Sequence, residues 1–285
     1  MKCVKFITLL CLTLCSFVSL AASEAIRIQG NSDVSSLPLT LLKAITKNNP
    51  QYHLDFPYDG QGNLTKSRLL EEVKNGQIDI HWSQSNAAFE EDYNAIYIPI
   101  YRGLIGLRLA VVPKDKRNIL QNVRTLEDLQ QYTAGSGSLW SDTITLIHNG
   151  IPVVKEQKFP NLFPMLEGGR FDYFPRGLHE PWRELDRWPE YNLIVEPHIL
   201  IRYAAPFYFF VTRENAKVTR FLNNALNELY ASGEFERLFF ADKDVARALE
   251  NANLADRKVI ELSSPNITSR TPLDKAHLWF NPYKN

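Results

Sequence analysis

Apolar and polar positions alternate along most of this chain with two periods, and they change places in a regular order. After a leader, Ala25-Ile26-Arg27-Ile28-Gln29-Gly30 alternates and predicts a strand. Leu39, Leu42 and Ile45 mark one face of a helix over about 36–47. A second strand is predicted over 52–58, and a second helix over about 65–75 with Leu69, Leu70 and Val73 on its apolar side and Gly76 as its stop. Ile78-Asp79-Ile80-His81-Trp82 is a third strand. A β-α-β-α-β order predicts parallel strands joined by right-handed crossovers. The alternation then breaks, because 96–100 and 104–112 are two apolar strands with no helix between them. A second unit starts at a helix capped by Thr125 and continues with a strand over 132–135, a Gly/Ser loop and a helix over 141–148. A strand near Val153, a helix over 162–168, a strand over 171–174, a helix over 178–187 and strands over 192–196 and 199–202 complete it. A strand over 207–211 and a strongly amphipathic helix over 217–230 follow.

The chain thus leaves one α/β unit near residue 113 and returns to it near 205. The expected architecture is α/β with two lobes, each a mixed, mostly parallel sheet flanked by helices. Residues 24–112 and 206–285 form the first lobe, with 241–285 as a C-terminal extension, and 113–205 form the second. Two crossings make a hinge, and a hinge between α/β lobes makes a cleft.

The leader adds a location. Met1-Lys2-Cys3-Val4-Lys5, an apolar run from Phe6 to Leu20 and then Ala21-Ala22-Ser23 read as a secretory signal peptide over 1–23. The run is short for a membrane span, and Leu14 before Cys15 does not suit a lipoprotein anchor. All three cysteines, Cys3, Cys11 and Cys15, lie in it, so cleavage near Ala21–Ser23 leaves a chain without disulfides, as a bacterial periplasmic protein can be. The whole chain carries 32 basic and 32 acidic residues; without Lys2 and Lys5 the balance is 30 to 32. No basic stripe favours nucleic acid. The six histidines show no metal-ligand spacing, and no phosphate loop, dinucleotide fingerprint or nucleophile elbow is present, so no metal or cofactor is expected.

Several segments together resemble the bacterial periplasmic solute-binding proteins of the amino-acid-binding type (family 3). These are Ala205-Pro206-Phe207-Tyr208-Phe209-Phe210-Val211, Arg213-Glu214-Asn215, Phe221-Leu222-Asn223-Asn224-Ala225-Leu226 and Ser232-Gly233-Glu234-Phe235, with Gly76-Gln77-Ile78-Asp79-Ile80 and Gly169-Arg170-Phe171-Asp172-Tyr173. The likeness covers about 25–240; residues 241–285, with Asn266, Pro272 and Trp279, have no counterpart in it. The resemblance implies a two-lobed fold that closes on a small solute. It also implies an Arg for the ligand carboxylate and a second-lobe Asp for its ammonium, and here those positions fall on Asp92 and on Gly177, beside Arg176. Both zwitterion anchors are therefore replaced, and an anionic or mixed polar ligand held by Arg176 is expected, since Arg offers a carboxylate a bidentate fork that Asp does not.

Candidate ligand contacts sit at strand ends, where ligands of α/β sheets collect. Ser83 ends the third strand, and Arg102 lies at the first crossing. Gly137, Ser138, Ser141 and Thr143 belong to a loop leading into a helix, whose free N–H groups can meet an anion. Arg176 follows a second-lobe strand and Glu180 the next turn. The expected protein is a non-enzymatic monomer that captures a small polar metabolite for a membrane permease or a sensor receptor. Two other readings use the same fold. One is a dehydratase like the periplasmic cyclohexadienyl dehydratases, which the resemblance brings in and which would use Glu180 or Asp172. The other is a sensory or scaffold protein with no ligand.

Overall fold

The computed structural model describes residues 23–61 and 64–281. The proposed signal peptide lies outside the described residues, apart from Ser23.

The first lobe opens with strand β1 (Glu24–Arg27), helix α1 (Leu37–Asn48), strand β2 (Tyr52–Asp55), helix α2 (Lys66–Lys74) and strand β3 (Ile80–Gln84). Thr65 caps α2 by accepting from the Arg68 N–H at 3.4 Å, and Gly76 leaves the helix with φ +68°. A short helix α3 (Ala87–Asp92), capped by Asn86, precedes strand β4 (Tyr93–Ile96). β1 and β2 are parallel, and a bridge from Ile28 to Ile80 joins them to β3. Strand β11 (Phe207–Thr212) returns from the second lobe and inserts antiparallel between β3 and β4. Helix α8 (Ala216–Ala231) follows, burying Val218, Leu222, Ala225, Leu226 and Leu229 along one stripe, the spacing of a helix that covers a sheet.

The second lobe contains strand β5 (Leu107–Pro113), helix α4 (Leu126–Leu129), strand β6 (Ala134–Gly137), helix α5 (Ser141–His148) and strand β7 (Val153–Glu156). Helix α6 (Leu162–Glu167), strand β8 (Phe174–Gly177), helix α7 (Pro181–Arg187), strand β9 (Leu193–Val195) and strand β10 (Ile199–Arg202) complete it. β6 and β7 are parallel. β5 pairs antiparallel with β8, β9 and β10. Each sheet is therefore mixed in the same way, with parallel strands on one side and antiparallel pairing where the strand arriving from the other lobe is inserted.

One expected boundary is corrected. β5 is a strand of the second sheet, so the first crossing lies before Leu107 rather than near residue 113. All seven β5 residues are buried and all but Arg108 are apolar; such a strand's sequence does not say which sheet receives it. Residues 97–106 make the crossing, through a left-handed turn at Arg102 (φ +48°) and Gly103 (φ +91°). The chain crosses back between β10 and β11.

The C-terminal extension does not belong to the first lobe alone. Helix α9 (Glu234–Ala241) packs on α1 and α8 of the first lobe. Helix α10 (Lys243–Asn251) lies against α7, with Arg183 bonded to Asp244 at 2.7 Å and Arg247 paired to Asp186. Strand β12 (Lys258–Glu261) then adds parallel to the free edge of β10. From Leu262 the chain runs back over the hinge as a strap. Ser263 and Asn149 exchange hydrogen bonds, and Asn266 Nδ2 donates to the Ser141 carbonyl at 2.6 Å and to Thr145 Oγ1 at 2.9 Å. Thr268 Oγ1 donates at 2.7 Å to Glu90, a buried first-lobe carboxylate that also accepts from Ser85 and Tyr97. The fold thus has a third crossing near Asp242 and a strap that touches both lobes.

Candidate functional site

Where the lobes meet, a cavity of about 150 Å³ is enclosed from both sides. The first lobe contributes Lys66 at the start of α2, Ser83 and Gln84 at the end of β3, and Phe207. The crossing adds Ile105; the second lobe adds Arg108 from β5, the turn Leu139–Asp142, Arg176 from β8 and Glu180. Direct hydrogen bonds bridge the lobes beside it. Asn86 Nδ2 donates to Ser141 Oγ at 2.9 Å, and Ser141 Oγ donates to the Gln84 carbonyl at 3.2 Å. Arg108 Nη2 donates to Gln84 Oε1 at 2.9 Å.

The second-lobe wall is a network of buried charges. Arg108, 2% exposed, sits within the apolar strand β5. A guanidinium so placed needs counter-charge, and it pairs with Asp142 and, at 3.6 Å, with Glu180. Tyr203 donates to the same Asp142 oxygen at 2.6 Å. Arg176 makes a bidentate pair with Glu184 at 2.7 and 2.6 Å and lies 3.1 Å from Glu180. Its guanidinium rests against the rings of Trp140, Phe159 and Phe174. Burial works to raise the Glu180 pKa, but the neighbouring Arg176 and Arg108 outweigh it and hold the carboxyl well below its ordinary value. The Gly177 N–H adds a 2.6 Å bond to it, and a Cβ at Gly177 would stand 3.1 Å from the same carboxylate oxygen.

The first-lobe wall carries one cation. Lys66 Nζ donates to Ser83 Oγ at 3.0 Å, lies 4.8 Å from the Phe89 ring centre and has no carboxylate partner among the described residues. Burial without a counter-ion lowers its pKa to about 8.

Of the eight expected contacts, Ser83, Ser141, Arg176 and Glu180 line this cavity. Ser141, the first residue of α5, serves as the bridge between lobes. The expected role of Arg176 as a free anion fork does not fit its geometry, because Glu184 already occupies the fork. Gly137, Ser138 and Thr143 stand behind the wall. A Cβ on Gly137 would fall 2.4 Å from the Trp140 ring, so glycine there serves ring packing. The Ser138 N–H donates to the Glu156 carbonyl, and Thr143 Oγ1 donates to the Gly137 carbonyl at 2.6 Å. Arg102 faces elsewhere. The left-handed turn sends its side chain to α9, where it bonds Glu236 at 2.9 Å and the His277 carbonyl at 3.2 Å, beside a separate hollow beneath the strap. Asp92 lies exposed at the end of α3, well apart from an anchoring position, near Lys74 and Arg213.

Sequence reasoning missed Lys66, Gln84, Arg108, Tyr203 and Glu184. A lone arginine inside an apolar run was the available signal, since such a charge must be paired. Lys66 carried none, because it reads as an ordinary first residue of an amphipathic helix.

Among the described residues no group of three or more His, Cys, Asp or Glu side chains is placed to hold a metal ion, and no helix is long and apolar enough to cross a membrane.

No protein-family model matches the sequence, and no curated protein matches it. Solved structures do. A histidine kinase sensor domain with similarity to periplasmic binding proteins superposes with a TM-score of 0.61 at 15% identity, over 78% of this chain and 96% of that one. An ancestral arginine-binding protein bound to glutamine gives 0.58 at 16% identity, over 77% of this chain and 98% of that one. An arginine transport-system periplasmic binding protein from Legionella pneumophila gives 0.58 at 11% identity, over 78% and 99%. The chain has the two-lobed fold of the amino-acid-binding periplasmic proteins. About a fifth of this chain has no counterpart in those structures.

Proposed function

We propose that this protein captures a small polar solute between its lobes in the bacterial periplasm and presents the closed form to a membrane permease or a sensor receptor. The observation that carries the reading is a cavity walled by charged, polar and apolar side chains of both lobes, with side-chain hydrogen bonds joining the lobes beside it. Such an arrangement couples occupancy to closure, because a solute in contact with both walls stabilises the state in which they meet. Structural neighbours that include binding proteins of transport systems and a histidine kinase sensor domain support both destinations.

A dehydratase reading has less support. Asp172 is spent on the Thr133 N–H at 2.8 Å and does not line the cavity. Glu180 is held ionised by two arginines, which makes it a weak proton donor.

Thermal melting of the chain from Ser23 onward against a library of small polar solutes tests the reading. A solute present at a hundred times its Kd adds about 2.7 kcal/mol of stability, or about 5–10 °C for a chain of this size. A library in which no member raises the melting point overturns solute capture.

A further inference from the structure

We infer that the solute is a small carboxylate without an ammonium group, anchored from the first lobe by Lys66 and Gln84. The inference rests on reading the interlobe cavity as a solute site, and it follows from which hydrogen-bonding groups there remain unfilled.

The unfilled groups are donors. Lys66 Nζ has one bond, to a hydroxyl, and no carboxylate partner among the described residues. Gln84 gives its Oε1 to Arg108, and its Nε2 is buried without a partner. Arg108 Nε is likewise buried and unpartnered. A buried donor without an acceptor is costly; two of them, Gln84 Nε2 and Arg108 Nε, belong to residues lining the cavity, and with a lysine beside them that lacks a counter-charge they favour an acceptor-rich, negatively charged occupant. The wall's carboxylates are already committed: Asp142 to Arg108 and Tyr203, Glu180 to the Gly177 N–H, Arg176 and Arg108. Glu184 behind them is committed to Arg176. A ligand ammonium would meet no carboxylate without an arginine and would face the charges of Lys66, Arg108 and Arg176. Size narrows the class further. A cavity of about 150 Å³ matches one known to hold a benzene ring. That is room for about six heavy atoms, the scale of a short 2-oxo or 2-hydroxy acid.

The test is calorimetric titration of the chain from Ser23 onward with acetate, pyruvate and lactate. Each is compared with its primary amide, glycine and alanine serve as zwitterions of matching size, and inorganic phosphate as a different anion. At least one carboxylate is expected to bind. Its amide and the matching zwitterion should bind about 10- to 100-fold more weakly, the range of a lost charged hydrogen bond. Lys66→Met should weaken the carboxylate by a similar factor, and Lys66→Arg should restore most of it. Affinity should also fall as pH rises through and above about 8, where the free Lys66 loses its proton. A carboxylate that binds Lys66→Met as well as wild type overturns the inference and leaves solute capture standing, provided the variant melts cooperatively; if it does not, wild-type pH dependence and Lys66→Arg decide. Binding of amides, zwitterions or phosphate in preference to carboxylates has the same meaning, as does a hit from the wider library when every carboxylate fails. Failure of all these probes and of the library overturns both.

Discussion

Single buried residues set how this protein responds to pH. His179 stacks on Tyr101 with ring centres 3.9 Å apart, and burial lowers its pKa to about 3. His81 lies among Phe89, Tyr93 and Phe210 with neither ring nitrogen bonded, and burial together with nearby Lys66 pushes its pKa well below the ordinary value. Both are neutral when folded and take up a proton more readily when unfolded. The unfolded state therefore binds more protons below about pH 6.5, and stability falls with pH there by about 1.4 kcal/mol per unit for each group. Urea denaturation at pH 7 and pH 5 should show this loss in wild type and a smaller one in His179→Phe. An equal loss in both removes His179 as a cause.

At the scale of elements, much of the order was legible and much of the placement was not. Strands β3, β10 and β11 and helices α1, α5 and α8 fall within a few residues of the expected spans, because each has a strong apolar period and clear ends. Helix α3 escaped notice because it is six residues long, too short for a face to repeat. β8 moved from 171–174 to Phe174–Gly177 because its register is set by β5 opposite, with Val111 on Phe174 and Arg108 on Gly177, and no local pattern encodes a partner. β5 itself looked like a plain core strand. The arginine in it shows the difference between reading apolarity and asking how a charge is paid for. Arg108→Leu removes the partner of Asp142 and leaves a buried carboxylate with only Tyr203 as a named donor. Breaking a buried pair in this way costs about 3–5 kcal/mol, so the midpoint of chemical denaturation should drop by an amount of that order. Exchanging Arg108 and Asp142 together for Leu and Asn should recover part of the loss. A single variant as stable as wild type would mean that the pair is not structural.

For the whole molecule, the lobes are joined more tightly than two crossings require. The strap from Leu262 bonds to Arg202 and Asn149 on the second lobe and to Glu90 on the first, and Asn266 reaches the backbone of Ser141, itself part of the bridge across the cleft. The strap thus ties both lobes together beside the Asn86–Ser141 bridge. The resemblance pointed to the fold but stopped near residue 240, and the strap's residues carry no periodicity, which is why its role came only with the structure. The chain from Ser23 onward has no cysteine, so spin labels at Glu91→Cys on the first lobe and Lys155→Cys on the second, both exposed positions, report on closure of that chain without background. Pulsed electron paramagnetic resonance of that pair, with and without a mixture of acetate, pyruvate and lactate, is the most direct measurement. A broad distance distribution that collapses to one shorter distance when the carboxylates are added is the expected result; a distribution unchanged by them contradicts closure of the lobes on a small carboxylate.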